Sequence, residues 1–289
     1  MVASLRPQHP PTPSNPPDPL HPPIIALLTD FGTADGYVGV MKGVALGICP
    51  LARLIDLTHE VPPQDVRTGA WLLATAWRAF PAGTIFLGVV DPGVGTSRRP
   101  IALAAGGRTF VGPDNGLFSF VLADAPAERA VVLDNPAYHR PEASSTFHGR
   151  DVFAPCAAHL AAGTPLASLG SPLDPAELVA LPLPRPAWEG TTLRARVLHV
   201  DRFGNLITDV GPELAGRVLG APGTVAMVGG VAIAARAATF GAGPEGAPFL
   251  LRDSSGHLAV AVRDGSAAAL LRVGRDAPVT ITGLLADRG

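Results

Sequence analysis

IIALLTDFGTADGYVGVMKGVALGICP, residues 24–50, reads as a strand, a loop and a helix in succession. An apolar run ends at Asp30 and gives way to a glycine-bearing loop. Beyond the loop Tyr37, Val40, Met41, Val44 and Ile48 recur at three- and four-residue spacing until Pro50, which is the pattern of an amphipathic helix and its stop. The next apolar run, RLIDL at 53–57, completes a strand–helix–strand unit, and a helical crossover of that length joins parallel strands. The alternation continues outward through TIFLGVVD (84–91), PIALAA (100–105), TFVG (109–112) and AVVLD (130–134). A second helix is expected after Pro62 and Pro63, with Asp65 near its start and Val66, Ala70, Leu73 and Trp77 as its buried stripe. A third is expected to begin at Asp151 as N-cap, to turn Val152, Cys156, Leu160 and Ala161 to the core, and to end at Gly163. Residues 24–180 are therefore predicted to form an α/β domain around a largely parallel sheet.

The composition changes across LPLPRPAWEG, and 181–191 is assigned as a linker. From 192 to 289 the runs LRARVLHVD, TVAMVGGVAIAA, HLAVAV and PVTITGL are β-branched and partly alternating, with no convincing helix. They predict an all-β domain, a small barrel or sandwich. Residues 1–23, rich in proline and small polar side chains, lack a signal-peptide core and read as a disordered tail. With 47% hydrophobic residues over 289 positions there is ample apolar surface for two cores. A net charge of −2 without a basic run leaves no electrostatic footprint for nucleic acid or an anionic membrane. No apolar stretch reaches the roughly 18 residues of a membrane span. A small-molecule ligand and a cytoplasmic location are the expectation. Cys49 and Cys156 lie in apolar helix-like segments without metal-ligand spacing and read as buried thiols of a reducing compartment.

Three apolar runs end at an aspartate followed by a glycine-bearing loop: LLTD-FGT at Asp30, GVVD-PGVG at Asp91 and LHVD-RFGN at Asp201. A single aspartate of this kind is most simply a turn residue satisfying loop amides. Three, on loops where a ligand can approach the backbone closely, point to a shared pocket, and in parallel α/β sheets ligands bind beyond the carboxyl ends of the strands. Asp30 has the chemistry to accept hydrogen bonds from a ribose diol. DPGVGTSRR lacks both the GK[ST] of a P-loop and the third glycine of a dinucleotide fingerprint, and the DFG at Asp30 has no kinase lysine or HRD loop before it. His148, in STFHGRD, reads on its own as a capping or packing histidine. His59, His139, His148, His159 and His257 show no paired spacing for zinc, so no metal is expected.

Taken together, IIALLTDFGTADGYVGVMKGV, LIDLTHEVPPQD, GTIFLGVVDPGVGTSRR, VGPDNG, STFHGRDVFAPCAAHLA and VDRFGNLITDV resemble the S-adenosylmethionine hydroxide adenosyltransferases, the water-using relatives of the fluorinase and chlorinase. The resemblance runs from Ile24 to the C-terminus with the motifs in family order. It implies an N-terminal α/β sandwich domain and a C-terminal β-barrel domain. It also implies a homotrimer whose active sites form between the N-terminal domain of one subunit and the C-terminal domain of its neighbour, and S-adenosyl-L-methionine as substrate with no separate cofactor. The family's water-activating triad falls on Asp91, Arg98 and His148. Asp30 is implied to hold the ribose hydroxyls, Asp201 the methionine ammonium, Phe203 and Asn205 the adenine, and Ser254 the methionine carboxylate, while Val262 offers a backbone carbonyl to the adenine amino group.

Halogenating members carry tyrosine where this chain has Asp91 and lack the Arg98 and His148 partners, and the fluorinase has an insertion after GTSRR that is missing here. The resemblance thus implies hydrolysis of S-adenosyl-L-methionine to adenosine and methionine. A chlorinase-like halogenase and a non-catalytic S-adenosylmethionine or adenosine sensor are the alternatives. A methyltransferase ranks last, because TDFGTADG after the first strand is not the glycine-rich loop that usually holds that cofactor.

Overall fold

The computed structural model describes residues 21–284, which divide into two compact units between Leu181 and Pro182. The proline-rich stretch read as a disordered tail lies, but for its last three residues, outside the described residues. The first unit runs β1 (Ile24–Thr29), α1 (Tyr37–Ile48), β2 (Arg53–Thr58), α2 (Val66–Ala76), β3 (Ile85–Val89), β4 (Pro100–Ala105), β5 (Arg108–Pro113), α3 (Ser119–Asp124), β6 (Arg129–Val132), α4 (Ala154–Ala161) and β7 (Pro172–Leu173). Its sheet has the order β2-β1-β3-β5-β4-β6-β7. The side-chain alternation of a strand explains the layers. Ile25 and Leu27 of β1 pack with Met41, Ala45 and Ala157 of α1 and α4, while Ala26 and Leu28 pack on the other face with Ala70, Leu73 and Val121 of α2 and α3.

The sheet is mixed. β1 pairs in parallel with β2 and β3, and β3 with β5, whereas β4 is antiparallel to β5 and β6, and β6 to β7. The reversal occurs at Gly106 and Gly107, whose φ values of 55° and 72° are those of a two-residue hairpin turn with left-handed residues at both positions. Asp65 caps α2, its Oδ1 accepting from the Thr68 N–H at 3.1 Å. Helix α1 is rotated from its expected stripe: Val38, Met41 and Ala45 are buried, while Tyr37 and Val40 are exposed. Asp151 is not an N-cap. It sits inside a π-helical turn, Gly149–Phe153, that leads directly into α4, and its buried carboxylate binds arginines instead.

The second unit runs β8 (Ala187–Glu189), β9 (Thr192–Val200), β10 (Leu206–Thr208), α5 (Pro212–Gly220), β11 (Val225–Val228), β12 (Val231–Ile233), β13 (Pro248–Arg252), β14 (Leu258–Val262), α6 (Ala267–Leu271) and β15 (Pro278–Thr282). Strands β12-β11-β15-β9-β10-β14-β13 form an antiparallel sheet, with β8 added to β9. Leu250 of β13 donates to the Ala235 carbonyl at 2.9 Å and accepts from the Ala237 N–H at 3.0 Å, so the segment after β12 closes the strip into a barrel and protects its edges. The expectation of no helix fails at α5 and α6. Both are short, and PELAGRVLG carries two glycines that depress its helical signal. Pro212 in the first turn and burial of Ala215 and Val218 secure α5, and the Ser266 hydroxyl caps α6 by accepting from the Ala269 N–H at 3.1 Å.

Candidate active site

In the first unit, Thr29 and Val89 are register partners on adjacent parallel strands, so Asp30 and Asp91 emerge side by side at the carboxyl end of the sheet. The loop after β3 turns back through Gly95, at φ 76°, and brings Arg98 onto Asp91. Arg98 Nε donates to Asp91 Oδ1 at 2.9 Å and Oδ2 at 3.1 Å, and Nη2 also donates to Oδ2. The two side chains are only 9% and 5% exposed, so this is a buried, fork-shaped ion pair. The same Nη2 lies 2.8 Å from His148 Nδ1, fifty positions further along the chain.

Because a guanidinium can only donate, His148 Nδ1 must accept, and the hydrogen of the neutral ring is placed on Nε2. Burial, reinforced by the adjoining Arg98 charge, lowers the His148 pKa below the usual imidazole value, against the opposing pull of Asp91 and Asp151. The Phe153 ring lies under this group, 5.1 Å from the Arg98 guanidinium carbon. Arg98 Nη1 is buried without an acceptor among the described residues. Of these groups Asp91 and His148 border a cavity of about 160 Å³ lined also by Phe31, Tyr37, Val89 and Phe147. Asp30 stands beside it at Phe31, and its Oδ2 accepts from the Gln64 N–H at 2.7 Å.

In the second unit, Asp201 organises the loop between β9 and β10. Its Oδ1 accepts from the N–H groups of Phe203 and Asn205, both at 2.9 Å, and its Oδ2 from Asn205 Nδ2 at 2.7 Å. Gly204, at φ 81°, is pressed against Ser266, so no side chain fits there. The loop thereby projects Phe203, 77% exposed, over a cavity of about 520 Å³ lined also by Asn205, Phe240, Val262, Asp264, Gly265 and Ser266. The Val262 carbonyl already accepts from the Gly265 N–H at 3.2 Å, leaving its second lone pair.

Among the residues singled out in the sequence, Asp91, Arg98 and His148 are thus brought together in one unit, and Phe203, Asn205 and Val262 in the other. Ser254 is set apart. It lies in the turn between β13 and β14, at the opposite end of that hairpin from Val262 and outside the cavity. The sequence reading missed Phe31 and Phe147, although they adjoin Asp30 and His148 within the quoted motifs, and it missed Tyr37 as a wall residue. Phe240 carried no signal at all, standing in a loop of glycine, alanine and threonine. Among the described residues no cluster of metal-ligating side chains is found, and no helix is long and apolar enough to cross a membrane.

A model of the SAM hydroxide adenosyltransferase N-terminal domain matches residues 25–170, and one of the C-terminal domain matches 195–280. The (R)-S-adenosyl-L-methionine hydrolase of Salinispora arenicola is 47% identical over 254 residues, 87% of this chain and 94% of the relative. The fluorinase of an Actinoplanes species is 33% identical over 65% of this chain and 72% of its own length. The crystal structure of an uncharacterized conserved protein from Thermotoga maritima superposes with a TM-score of 0.82 at 36% identity, covering 89% of this chain and 99% of that one.

Proposed function

The chain belongs to the SAM hydroxide adenosyltransferase family, and from that premise we propose that it hydrolyses S-adenosyl-L-methionine to adenosine and L-methionine, with Asp91, Arg98 and His148 presenting the attacking water to C5′. The observation that carries this reading is the part-buried Asp91–Arg98–His148 cluster, in which Arg98 joins Asp91 and His148 on the wall of the first unit's cavity. Water, with a pKa of about 15.7 in bulk, needs a cation and a proton acceptor beside it to act as a nucleophile. Arg98 supplies the charge, and its unpaired Nη1 is the free donor for a water oxygen. His148, with Nδ1 taken by Arg98, offers Nε2–H as a second donor, which leaves the Asp91 carboxylate as the proton acceptor. Hydroxide and a sulfonium combine into neutral products, so the aromatic and aliphatic wall of Phe31, Tyr37, Val89 and Phe147 favours the reaction by excluding bulk water.

Asp30, with one carboxylate oxygen outside its Gln64 bond, takes the ribose hydroxyls. Phe203 and Phe240 flank the adenine, with Asn205 and the Val262 carbonyl at its edge. Asp201 meets the methionine ammonium while holding its own loop, whereas Ser254, outside the cavity, is given no contact. The first cavity is smaller than the roughly 300–1,000 Å³ usual for ligand pockets, whereas the second is within that range, so each suits part of the substrate. With the family we further propose a homotrimer in which the first unit of one subunit and the second unit of its neighbour complete a site, with no separate cofactor, in the cytoplasm and with no nucleic-acid or membrane partner.

The test is chromatography of the purified protein with S-adenosyl-L-methionine, with and without chloride. Adenosine and methionine are expected in both. 5′-Chloroadenosine in chloride with no adenosine otherwise would transfer the chain to the halogenating branch. Tight binding with negligible turnover, unchanged in Asp91→Ala, would mark a sensor.

A further inference from the structure

Asp151 is not among the residues that touch the cavity, yet it is the most heavily engaged carboxylate near it. It is 1% exposed in the π-helical turn after His148. Arg150 Nε donates to its Oδ1 at 2.7 Å and Arg150 Nη2 to its Oδ2 at 2.8 Å, Arg140 Nη1 reaches Oδ1 at 3.2 Å, and the Ser144 N–H reaches Oδ2 at 2.9 Å. Its own carbonyl accepts from the Arg140 N–H at 2.9 Å. With the Asp151 N–H donating to the Phe147 carbonyl at 3.1 Å, residues 140–147 are tied back onto Asp151 at both ends and at Ser144, as a strap. Arg150 does a second thing. Its guanidinium carbon lies 5.2 Å from the centre of the Phe147 ring, which in turn contacts Phe31 at 5.9 Å and Tyr37 at 5.2 Å in the cavity wall.

We propose that Asp151, acting through Arg150, Arg140 and the Ser144 amide, is a positioning residue for the hydrolysis: it holds the 140–147 strap so that Phe147 closes the cavity and His148 faces Arg98. This rests on the assignment of Asp91, Arg98 and His148 as the water-activating cluster. A buried carboxylate with four donors is a rigid anchor, and a small displacement of a reacting group costs catalysis far more than it costs binding. The charged and titratable groups around His148 are Arg98, Asp91, Asp151 and, more distantly, His139. Asp151 favours the protonated imidazole, so removing its charge lowers the His148 pKa and moves the acid limb of activity, which requires neutral His148, to lower pH.

The experiment is a double-mutant cycle of Asp151→Asn with His148→Gln, read as kcat, KM and pH profile on S-adenosyl-L-methionine. Asp151→Asn alone should lower kcat by about 10- to 100-fold with KM changed by less than about threefold, and should shift the acid limb downward. In the His148→Gln background it should add little. Arg150→Gln, at a partly exposed position, is the variant that folds if Asp151→Asn does not, and should lower kcat in the same sense by a smaller factor. Wild-type kcat in folded Asp151→Asn or Arg150→Gln, or equal losses with and without His148, would overturn the proposal. Full activity of His148→Gln by itself would instead overturn the catalytic cluster on which it rests.

Discussion

Arg98 is the residue on which the cluster depends, because it alone touches both other members. Its Nε and Nη2 fork onto Asp91 while the same Nη2 also reaches His148, a planar arrangement that a lysine ammonium cannot reproduce. Arg98→Met leaves the Asp91 carboxylate buried and unpaired, which should destabilise the fold by about 3–5 kcal/mol, measurable as a lowered denaturation midpoint. The same variant should lose at least about 100-fold in kcat, the usual scale for removing a preorganised charge at a reacting centre. Arg98→Lys should recover stability more than rate. Activity of Arg98→Lys close to wild type would show that charge alone suffices and that the fork is dispensable.

Two loops meet to make the cluster, and their contact is narrow. A Cβ at Gly95, already at φ 76°, would stand 2.6 Å from the Ser145 carbonyl oxygen. Gly95→Ala should therefore push the Arg98 loop from the His148 strap and lower kcat by about tenfold or more, while the melting temperature falls only a few degrees; unchanged kcat would mean that the loops do not set the geometry. Elements differ sharply in how far the sequence betrayed them. β1, α1 and β2 were legible because a short apolar run gives way to apolar spacing of three to four and then to a second run within thirty-odd residues, and the Asp65 cap was legible as residue chemistry. α5 and α6 were not, being short segments whose glycines or single cap carry little propensity and whose stability comes from packing on the barrel. Asp151 misled because aspartate before an apolar run is the ordinary sign of a cap, whereas its partners Arg140 and Ser144 reach it only by the fold of the strap. Asp91 and His148, distant in the chain, were paired through a family likeness and not through any local pattern, since a salt-bridged cluster leaves no periodic trace. Phe240 needed the barrel to be seen at all.

In the whole molecule the substrate is proposed to be shared between two units, and subunit exchange checks that division. Co-expressing Asp91→Ala and Asn205→Ala chains, each inactive or nearly so alone, should restore about a quarter of the sites if units of different subunits complete them. Activity no greater than the sum of the separate variants would place both halves within one chain. The proposed chemistry is attack of an enzyme-held water on C5′. Turnover in 18O-labelled water tests it most directly by mass spectrometry of the products. The label should appear in the 5′-hydroxyl of adenosine with methionine unlabelled, and should vanish with the adenosine in Asp91→Ala. Label in homoserine alongside methylthioadenosine, or adenosine formed without solvent oxygen, would contradict it.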